Sequence, residues 1–383
     1  MAKIIVFGNG LQTAYGLIRA FGEAGYKVDF LLEPCKHRDC TIRHSKYIQN
    51  VFFLENLDKA PEVLLEKYGK SKDKPVVLCA SDPSIAVLDK NFNELKNHFY
   101  IFNANNCQGR ICHFQDKVNS FEVAAKNGLT LINTLIIEDA EHIPDGISYP
   151  CFVKGLNSVE STKSDIHICA NPKELKSSLR PGVRYLVQDY IQKDFEMTVV
   201  GVSFNNGKDV ILKGVTRKVR ESLKRMGEFM CLDPFEKHPN LNLKGIKGLV
   251  REIGYEGIFS LDFLCKDDTY YFLEINLRND GLGYVTTAAG ANFPYLWYKY
   301  AIGHLTSSDI EKQTVKTPFF VMHENDMYNI VEGKVSLCQW IKDFHKTSAF
   351  FTMNIKDPLP FIASTLVHTR QFMKLVYRKI SRC

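Results

Sequence analysis

Residues 268–281, "DTYYFLEINLRNDG", carry a carboxylate, an amide and a guanidinium at alternate positions, Glu274, Asn276 and Arg278. In an extended chain alternate side chains share a face, so Phe272, Glu274, Asn276 and Arg278 are expected on one side and Tyr271, Leu273 and Ile275 on the other. Upstream, "YEGIFSLDFLCKDD" reads as a second strand, with Phe259, Leu261, Phe263 and Cys265 on one face and Ser260, Asp262 and Leu264 on the other. The polar run "KDDT" at residues 266–269 reads as the turn between them. An antiparallel hairpin with an odd number of loop residues sets Asp262 opposite Glu274. Directly opposed carboxylates repel. A divalent cation removes the repulsion: Mg²⁺ takes one or two carboxylates, keeps several waters and completes its shell with nucleotide phosphate oxygens. Asn276 could add a neutral oxygen ligand, and Arg278 a planar fork for phosphate or carboxylate. The plainer alternative is an amphipathic strand with its polar face in water.

The elements that must position these groups fall into two textures. "KIIVFGNG" is a strand entering a glycine turn, followed by a helix-period segment and the strand "KVDFLL", and "KPVVLCASDPSIAVLDKN" repeats the theme. This alternation predicts a parallel α/β domain over residues 1–105. "GNGLQTAYG" has Thr13 where the third glycine of a dinucleotide fingerprint belongs, which argues against a Rossmann cofactor site and assigns Gly8 and Gly10 to a tight turn. From Gln115 the chain reads as α+β: a helix ending at Asn127-Gly128, the strand "YPCFVKG" running into a polar loop at residues 156–165, and a run of strands through "VQDYIQKDFEMTVVGVSF" and "KDVILKGVTRKV" with a turn at "NNGK". The helix pattern "LNLKGIKGLVREIGY" precedes the Asp262 and Glu274 hairpin.

At 383 residues, 45% hydrophobic and 24% charged, the chain has the composition of a multidomain globular protein. No stretch reaches the roughly 18 apolar residues of a membrane span, and a cytoplasmic location is expected. The eleven cysteines include no Cys-x-x-Cys pair and read as reduced thiols. Net charge is +6, and five of those charges are Arg370, Lys374, Arg378, Lys379 and Arg382, after the last acidic residue, Asp357. A nearly neutral body argues against nucleic-acid binding. The tail, with Leu366, Phe372, Met373, Leu375, Val376 and Ile380 as an apolar stripe beside those cations, could lie on an anionic membrane at its inner face or pack on the protein body.

Several residues occur in one order: Lys117 at the head of a helix, Lys154 at the end of a strand before a loop, "VQDYI" followed by Glu196, then Asp262, and Glu274-x-Asn276-x-Arg278. This order resembles the ATP-grasp superfamily over about residues 1–305 of the chain. The resemblance implies a pre-ATP-grasp α/β domain (1–105), a small subdomain (106–187), a large subdomain with the metal and substrate site (188–305) and a C-terminal extension (306–383). It implies ATP and Mg²⁺ as cofactors, with Lys117 and Lys154 on the nucleotide phosphates. Gln188, Asp189, Tyr190 and Ile191 would read adenine and Glu196 would meet the ribose. Asp262, Glu274 and Asn276 would hold Mg²⁺, and Arg278, with Asn276 and Lys154, would serve the reacting acyl phosphate. Asn279, Asp280, Gly281, Tyr284 and Thr286 follow the metal strand directly and are candidate substrate contacts, and among the basic residues Lys213, Arg217 and Lys218 the candidate is Arg217. Two departures stand out: Leu277 replaces the usual proline between Asn276 and Arg278, and the loop after Lys154 has one glycine, with Ser158, Ser161 and Thr162 as hydroxyl donors.

Within the superfamily, "EINLRNDGLGYVTTAAGANFPYLWYKYAIG" most resembles D-aspartate ligases and related carboxylate–amine ligases of envelope peptides and polysaccharides, and carbamoyl phosphate synthase more distantly. That likeness implies amide formation through an acyl phosphate, small-molecule carboxylate and amine substrates, and a homodimer. The alternatives are a bicarbonate-using enzyme of the carbamoyl phosphate synthase kind and a nucleotide-binding partner without catalysis.

Overall fold

The computed structural model describes residues 2–35, 40–156, 166–222 and 226–365. Strands Ile4–Gly8, Val28–Leu32, Ile48–Phe53 and Val76–Cys79 form a parallel sheet in which Ile4–Gly8 lies between Val28–Leu32 and Val76–Cys79. The strands Ile4–Gly8, Val28–Leu32 and Val76–Cys79 are buried throughout, which is why each reads as an unbroken apolar run. Gly8 and Gly10 serve close approach more than a turn. A Cβ on Gly8 would stand 2.7 Å from that of Ala80, one on Gly10 would meet the Cys40 sulfur at 2.7 Å, and neither backbone has a positive φ.

A small antiparallel sheet follows, with Tyr185–Asp189 between Thr134–Ile137 and Cys151–Gly155, and His167–Cys169 on the outside. It has its own apolar cluster around Ile137, Val153, Leu175 and Tyr185. The third sheet is ten-stranded. Its centre is the long antiparallel pair Phe195–Phe204 and Tyr255–Lys266, flanked by Val215–Glu221 and Gly227–Asp233 on one side and Thr269–Asn276 on the other. Phe319–Met322 pairs with Gly227–Asp233, and Ala349–Phe350 with Phe319–Met322, so residues after 305 continue this sheet. They also reach back to the first domain: buried Asp357 accepts hydrogen bonds from Tyr15 (3.0 Å), Ser45 (2.5 Å) and the Lys46 amide (2.9 Å).

The hairpin corrects two expectations. Its loop has two residues, Asp267 and Asp268, both with positive φ, an even count that by itself would put Asp262 opposite Leu273. A bulge between Asp262 and Phe263 supplies the odd residue and restores the pairing of Asp262 with Glu274. Below the bulge Phe272 pairs with Phe263, so it does not share a face with Glu274. Phe272 is fully buried, packed edge-on against Phe121 and Phe263, whereas Glu274 stays partly open to the cleft.

Among the described residues no disulfide forms and no helix is long and apolar enough to cross a membrane. The tail stripe from Leu366 to Ile380 lies outside the described residues, as do Ser158, Ser161 and Thr162.

Candidate active site

The floor of the site is a row of four polar side chains across four strands. Thr216 pairs with Thr198, Thr198 with Asp262 and Asp262 with Glu274, so all four project from the same side of the large sheet. The Thr198 hydroxyl donates to Asp262 Oδ1 at 2.5 Å, and the buried Thr216 hydroxyl has no partner among the described residues. Asn276 lies beside this row, paired with Ser260; its amide nitrogen points at Ser260 Oγ (3.3 Å) and Asp262 Oδ2 (3.4 Å). Glu196, two residues before Thr198, takes ion pairs from Lys193 and Lys218, each at 2.6 Å. Burial works against the Glu196 carboxylate, but those two ammonium groups outweigh it and hold its pKa below the usual range.

The facing wall comes from the small sheet and the helix before it. Lys117 is the first residue of helix Lys117–Lys126, whose N-terminus is capped by the Asp116 carboxylate on the Val118 amide. Its ammonium is buried, donates to the Leu156 carbonyl at 3.4 Å and stands 3.8 Å from Glu274 Oε2. Lys154 projects from Cys151–Gly155 into the same space. Burial pulls its ammonium down to about 8, with Lys117 adding to the effect and Glu274 and Asp262 opposing it. Two ammonium groups facing two carboxylates across a cleft make a bed for polyphosphate and a cation.

Between the sheets, Tyr185–Asp189 runs out into coil at Tyr190 and Ile191 before Phe195–Phe204 begins. Gln188 is buried and donates to the Thr134 hydroxyl (3.0 Å), while Asp189 accepts from Asn133 (3.2 Å) and Tyr190 is exposed. The segment therefore keeps the Gln188 side chain for the sheet, and the amides of Asp189 and Tyr190 bond the Asn133 and Pro150 carbonyls, each at 3.2 Å.

Arg278 is held by a residue that sequence reasoning missed. Its guanidinium forms a two-pronged pair with Asp82, at 2.9 and 3.0 Å, and donates to Asn276 Oδ1 (3.0 Å) and the Asn279 carbonyl (3.2 Å). One of its five N–H donors then remains, on the side where Asp280 lies 3.6 Å away. Against the cost of burial, Asp82 and Asp280 hold the guanidinium firmly charged. Asp82 opens helix Asp82–Lys90 at the carboxyl end of Val76–Cys79, and the buried Glu33 bonds the neighbouring Ser81. The signal for Asp82 was the "SDPS" helix start directly after a parallel strand, where open α/β sheets bind their ligands.

The other candidates divide. Asp280 faces the site, contributing to the shift at Asp262, and Gly281 lies by Thr13, whose hydroxyl would stand 3.7 Å from a Cβ there. Asn279 is buried and ties the strand end to the first domain through the Thr13 carbonyl (2.9 Å). Tyr284 turns away to Glu23 (2.8 Å) with Arg19 stacked over its ring at 4.1 Å, and Thr286 is buried in the same helix, Gly283–Ala289. Arg217 is not brought to the site: it pairs with Asp233 at 3.0 Å, while its neighbour Lys218 points to Glu196. Strand alternation at "TRKV" carried that distinction. A crevice lined by Asp82, Lys117, Glu274 and Asn276 marks the site. The larger cavity, about 260 Å³, lies at the turn end of the hairpin around Thr130, Asn242 and Tyr270, away from this chemistry.

The donor set fits Mg²⁺. Among the described residues no group of three or more His, Cys, Asp and Glu side chains gathers, so a cation here would rest on the two carboxylates and the amide. Burial, then the charges of Asp280 and Glu274, push the Asp262 carboxyl up to about 7, against the opposing charge of Lys218, so a buried carboxylate beside two others stands where a cation would be welcome. Asn276 Oδ1 accepts from Arg278 and keeps a second lone pair.

Comparison with known proteins agrees with this geometry. Residues 196–327 match the family model described as ATP-grasp in the biosynthetic pathway with Ter operon. The carbamoyl phosphate synthase large chain of Saccharolobus islandicus is 25% identical over 173 residues, 42% of this chain and 16% of that protein. The chain thus spans about a sixth of the length of that curated relative. Among solved structures, an L-amino acid ligase from Bacillus licheniformis superposes with a TM-score of 0.65 at 16% identity, over 83% of this chain and 78% of that one. N5-carboxyaminoimidazole synthetase from Staphylococcus aureus gives 0.63 at 14% identity, over 87% and 86%. A phosphate bed of Lys117 and Lys154 facing the paired Asp262 and Glu274 between two antiparallel sheets thus accompanies a likeness to ATP-grasp proteins, by family model over residues 196–327 and by superposition in the fold.

Proposed function

We propose that the protein is an ADP-forming carboxylate–amine ligase. The observation that carries this reading is the bulge-aligned Asp262–Glu274 pair, set across a cleft from Lys117 and Lys154 and beside an anchored Arg278. The terminal phosphoryl of ATP passes to a substrate carboxylate oxygen, giving ADP and an acyl phosphate. An amine nitrogen then attacks the acyl carbon, the carbon–oxygen bond to phosphate breaks, phosphate leaves and the amine's proton goes to solvent. Lys117 and Lys154 hold the phosphates, residues 188–191 seat adenine, and Glu196, shared with Lys193 and Lys218, meets the ribose. Asp262, Glu274 and Asn276 would hold Mg²⁺, which when bound neutralises charge on the transferring phosphoryl. Arg278, fixed by Asp82, directs its remaining N–H and its charge at the acyl phosphate. Asp280 and Gly281 border the substrate carboxylate.

The likeness of "EINLRNDGLGYVTTAAGANFPYLWYKYAIG" to D-aspartate ligases supports a role in envelope peptide or polysaccharide synthesis. In this reading the enzyme is a cytoplasmic homodimer that touches the inner membrane face through its basic C-terminal region. ADP release, screened against pairs of amino acids, dicarboxylates and amino sugars, tests it: turnover requires one carboxylate and one amine together. The match to carbamoyl phosphate synthase favours one second reading, with bicarbonate as the carboxylate. Bicarbonate-dependent ADP release without any amino acid would select it.

A further inference from the structure

Helix Leu337–Lys346 is mounted with its apolar face outward. Leu337, Ile341 and Phe344 recur at helical spacing and are all exposed, at 57%, 44% and 37%, with Trp340 between them half-buried. The one residue the helix buries is polar. Asp343 is buried and accepts from Arg220 Nη1 at 2.9 Å, and Gln339 donates to its other oxygen at 2.9 Å. Arg220 in turn grips buried Asp326 with two prongs, so an ionic latch fixes the helix to the large sheet and leaves the apolar arc uncovered. Buried carboxylates with such partners hold one orientation firmly, since breaking the pair would strand a charge.

The surroundings are mostly basic. Residues 332–357 hold Lys334, Lys342, Lys346 and Lys356 against three acidic residues, Glu332, Asp343 and Asp357. Asp343 and Asp357 are buried and hydrogen-bonded, the second to Tyr15, Ser45 and Lys46, and Glu332 is partly exposed. Lys334, Lys342, Lys346 and Lys356 are exposed. An uncovered apolar arc carrying a tryptophan, flanked by four exposed lysines with the acids Asp343 and Asp357 already engaged, has the composition of an interfacial helix. A second copy of the chain would bring the same positive field against it, which disfavours self-association.

We infer that helix Leu337–Lys346 is a docking element for an anionic lipid surface. It rests on the membrane contact proposed above, but assigns that contact to a folded face instead of the tail alone, and it does not depend on the reaction chemistry. Leu337, Ile341 and Phe344 enter the headgroup boundary, Trp340 sits at that level, and Lys342 and Lys346 meet lipid phosphates.

The chain has two tryptophans, Trp297 buried in the core and Trp340 on this helix, so intrinsic fluorescence reports the helix. Full-length protein is titrated with vesicles of phosphatidylcholine, with or without phosphatidylglycerol, at low salt, with sedimentation in parallel. The expected result is binding to the phosphatidylglycerol vesicles with a blue shift that Trp340→Phe removes. Ile341→Ser with Phe344→Ser should weaken binding by tenfold or more, and Lys342→Gln by roughly fivefold, with unchanged ADP release in both and an unchanged melting temperature for Lys342→Gln, which removes no packing. Any of three results overturns the assignment: no binding to anionic vesicles; unaltered binding by the helix variants while Arg378→Glu with Lys379→Glu abolishes it, which leaves the tail alone; or a dimer in sedimentation velocity that the helix variants dissociate, which gives the face to a second copy.

Discussion

Asp262→Asn should stabilise the protein in the absence of Mg²⁺, and most at alkaline pH. In the wild type, burial and then Asp280 and Glu274 push the Asp262 carboxyl up to about 7, whereas in the unfolded chain it titrates near 3.9, roughly three units lower. The folded state therefore keeps a proton that the unfolded chain has released. Its stabilising contribution is complete below about pH 4 and is lost as pH rises through about 7. Three units correspond to at most about 4 kcal/mol, and because Asp262 titrates together with its acidic neighbours, roughly 2 kcal/mol is the working magnitude. Lys154 acts in the opposite sense: burial depresses its ammonium to about 8, so its contribution improves as pH rises through that value. The difference between wild type and variant, not the wild-type curve alone, isolates Asp262. Asparagine keeps an oxygen for the Thr198 hydroxyl and loses the charge, together with the long contact that Oδ2 accepts from Asn276 at 3.4 Å. Thermal unfolding in a chelator, from about pH 4 to about pH 9, should show the variant gaining several degrees on the wild type at the alkaline end and little at the acidic end, with the gain building up between about pH 4 and about pH 7. Parallel curves over that range would refute the crowded-carboxylate account.

Other consequences of the geometry are measurable. Lys154→Met should lower kcat/KM for ATP by on the order of a hundredfold and remove an alkaline limb near pH 8 from its pH profile. Asp82→Asn should reduce kcat with little change in KM for ATP, because it loosens Arg278 without touching nucleotide; an unaltered kcat would remove Asp82 from the site. Phe272→Ala should cost about 3–5 kcal/mol in denaturant unfolding and half-buried Leu273→Ala clearly less, an order that simple strand alternation does not foresee.

Much of the site was legible because its logic is local. Alternation along residues 272–278 brought Glu274, Asn276 and Arg278 together on paper, and the opposition of Asp262 and Glu274 is present. The route to it was not legible: a two-residue turn and a bulge give the same pairing as an odd loop, and only packing of Phe272 against Phe121 and Phe263 selects between them. Asp82 escaped notice because its partner lies 196 residues away, in another sheet's reach, and nothing near either residue announces the pair. Tyr284 and Asn279 were read as substrate contacts from adjacency alone. Their side chains are taken up by the two ends of helix Gln12–Glu23, Asn279 by Thr13 and Tyr284 by Glu23, a use that depends on how the first domain seats against Gly283–Ala289. The outward-facing helix after residue 336 has an ordinary amphipathic sequence, and which side faces in is decided by Arg220, more than a hundred residues earlier.

The central claim is that this cleft makes an acyl phosphate before an amine arrives. Hydroxylamine, a small nucleophile, captures such an intermediate as a hydroxamate. With ATP, Mg²⁺ and the carboxylate identified in the substrate screen, but no natural amine, hydroxamate and ADP should form in equal amounts, and Lys154→Met and Glu274→Gln should both abolish them. Release of AMP and pyrophosphate, or full trapping by the Glu274→Gln protein, would contradict the account.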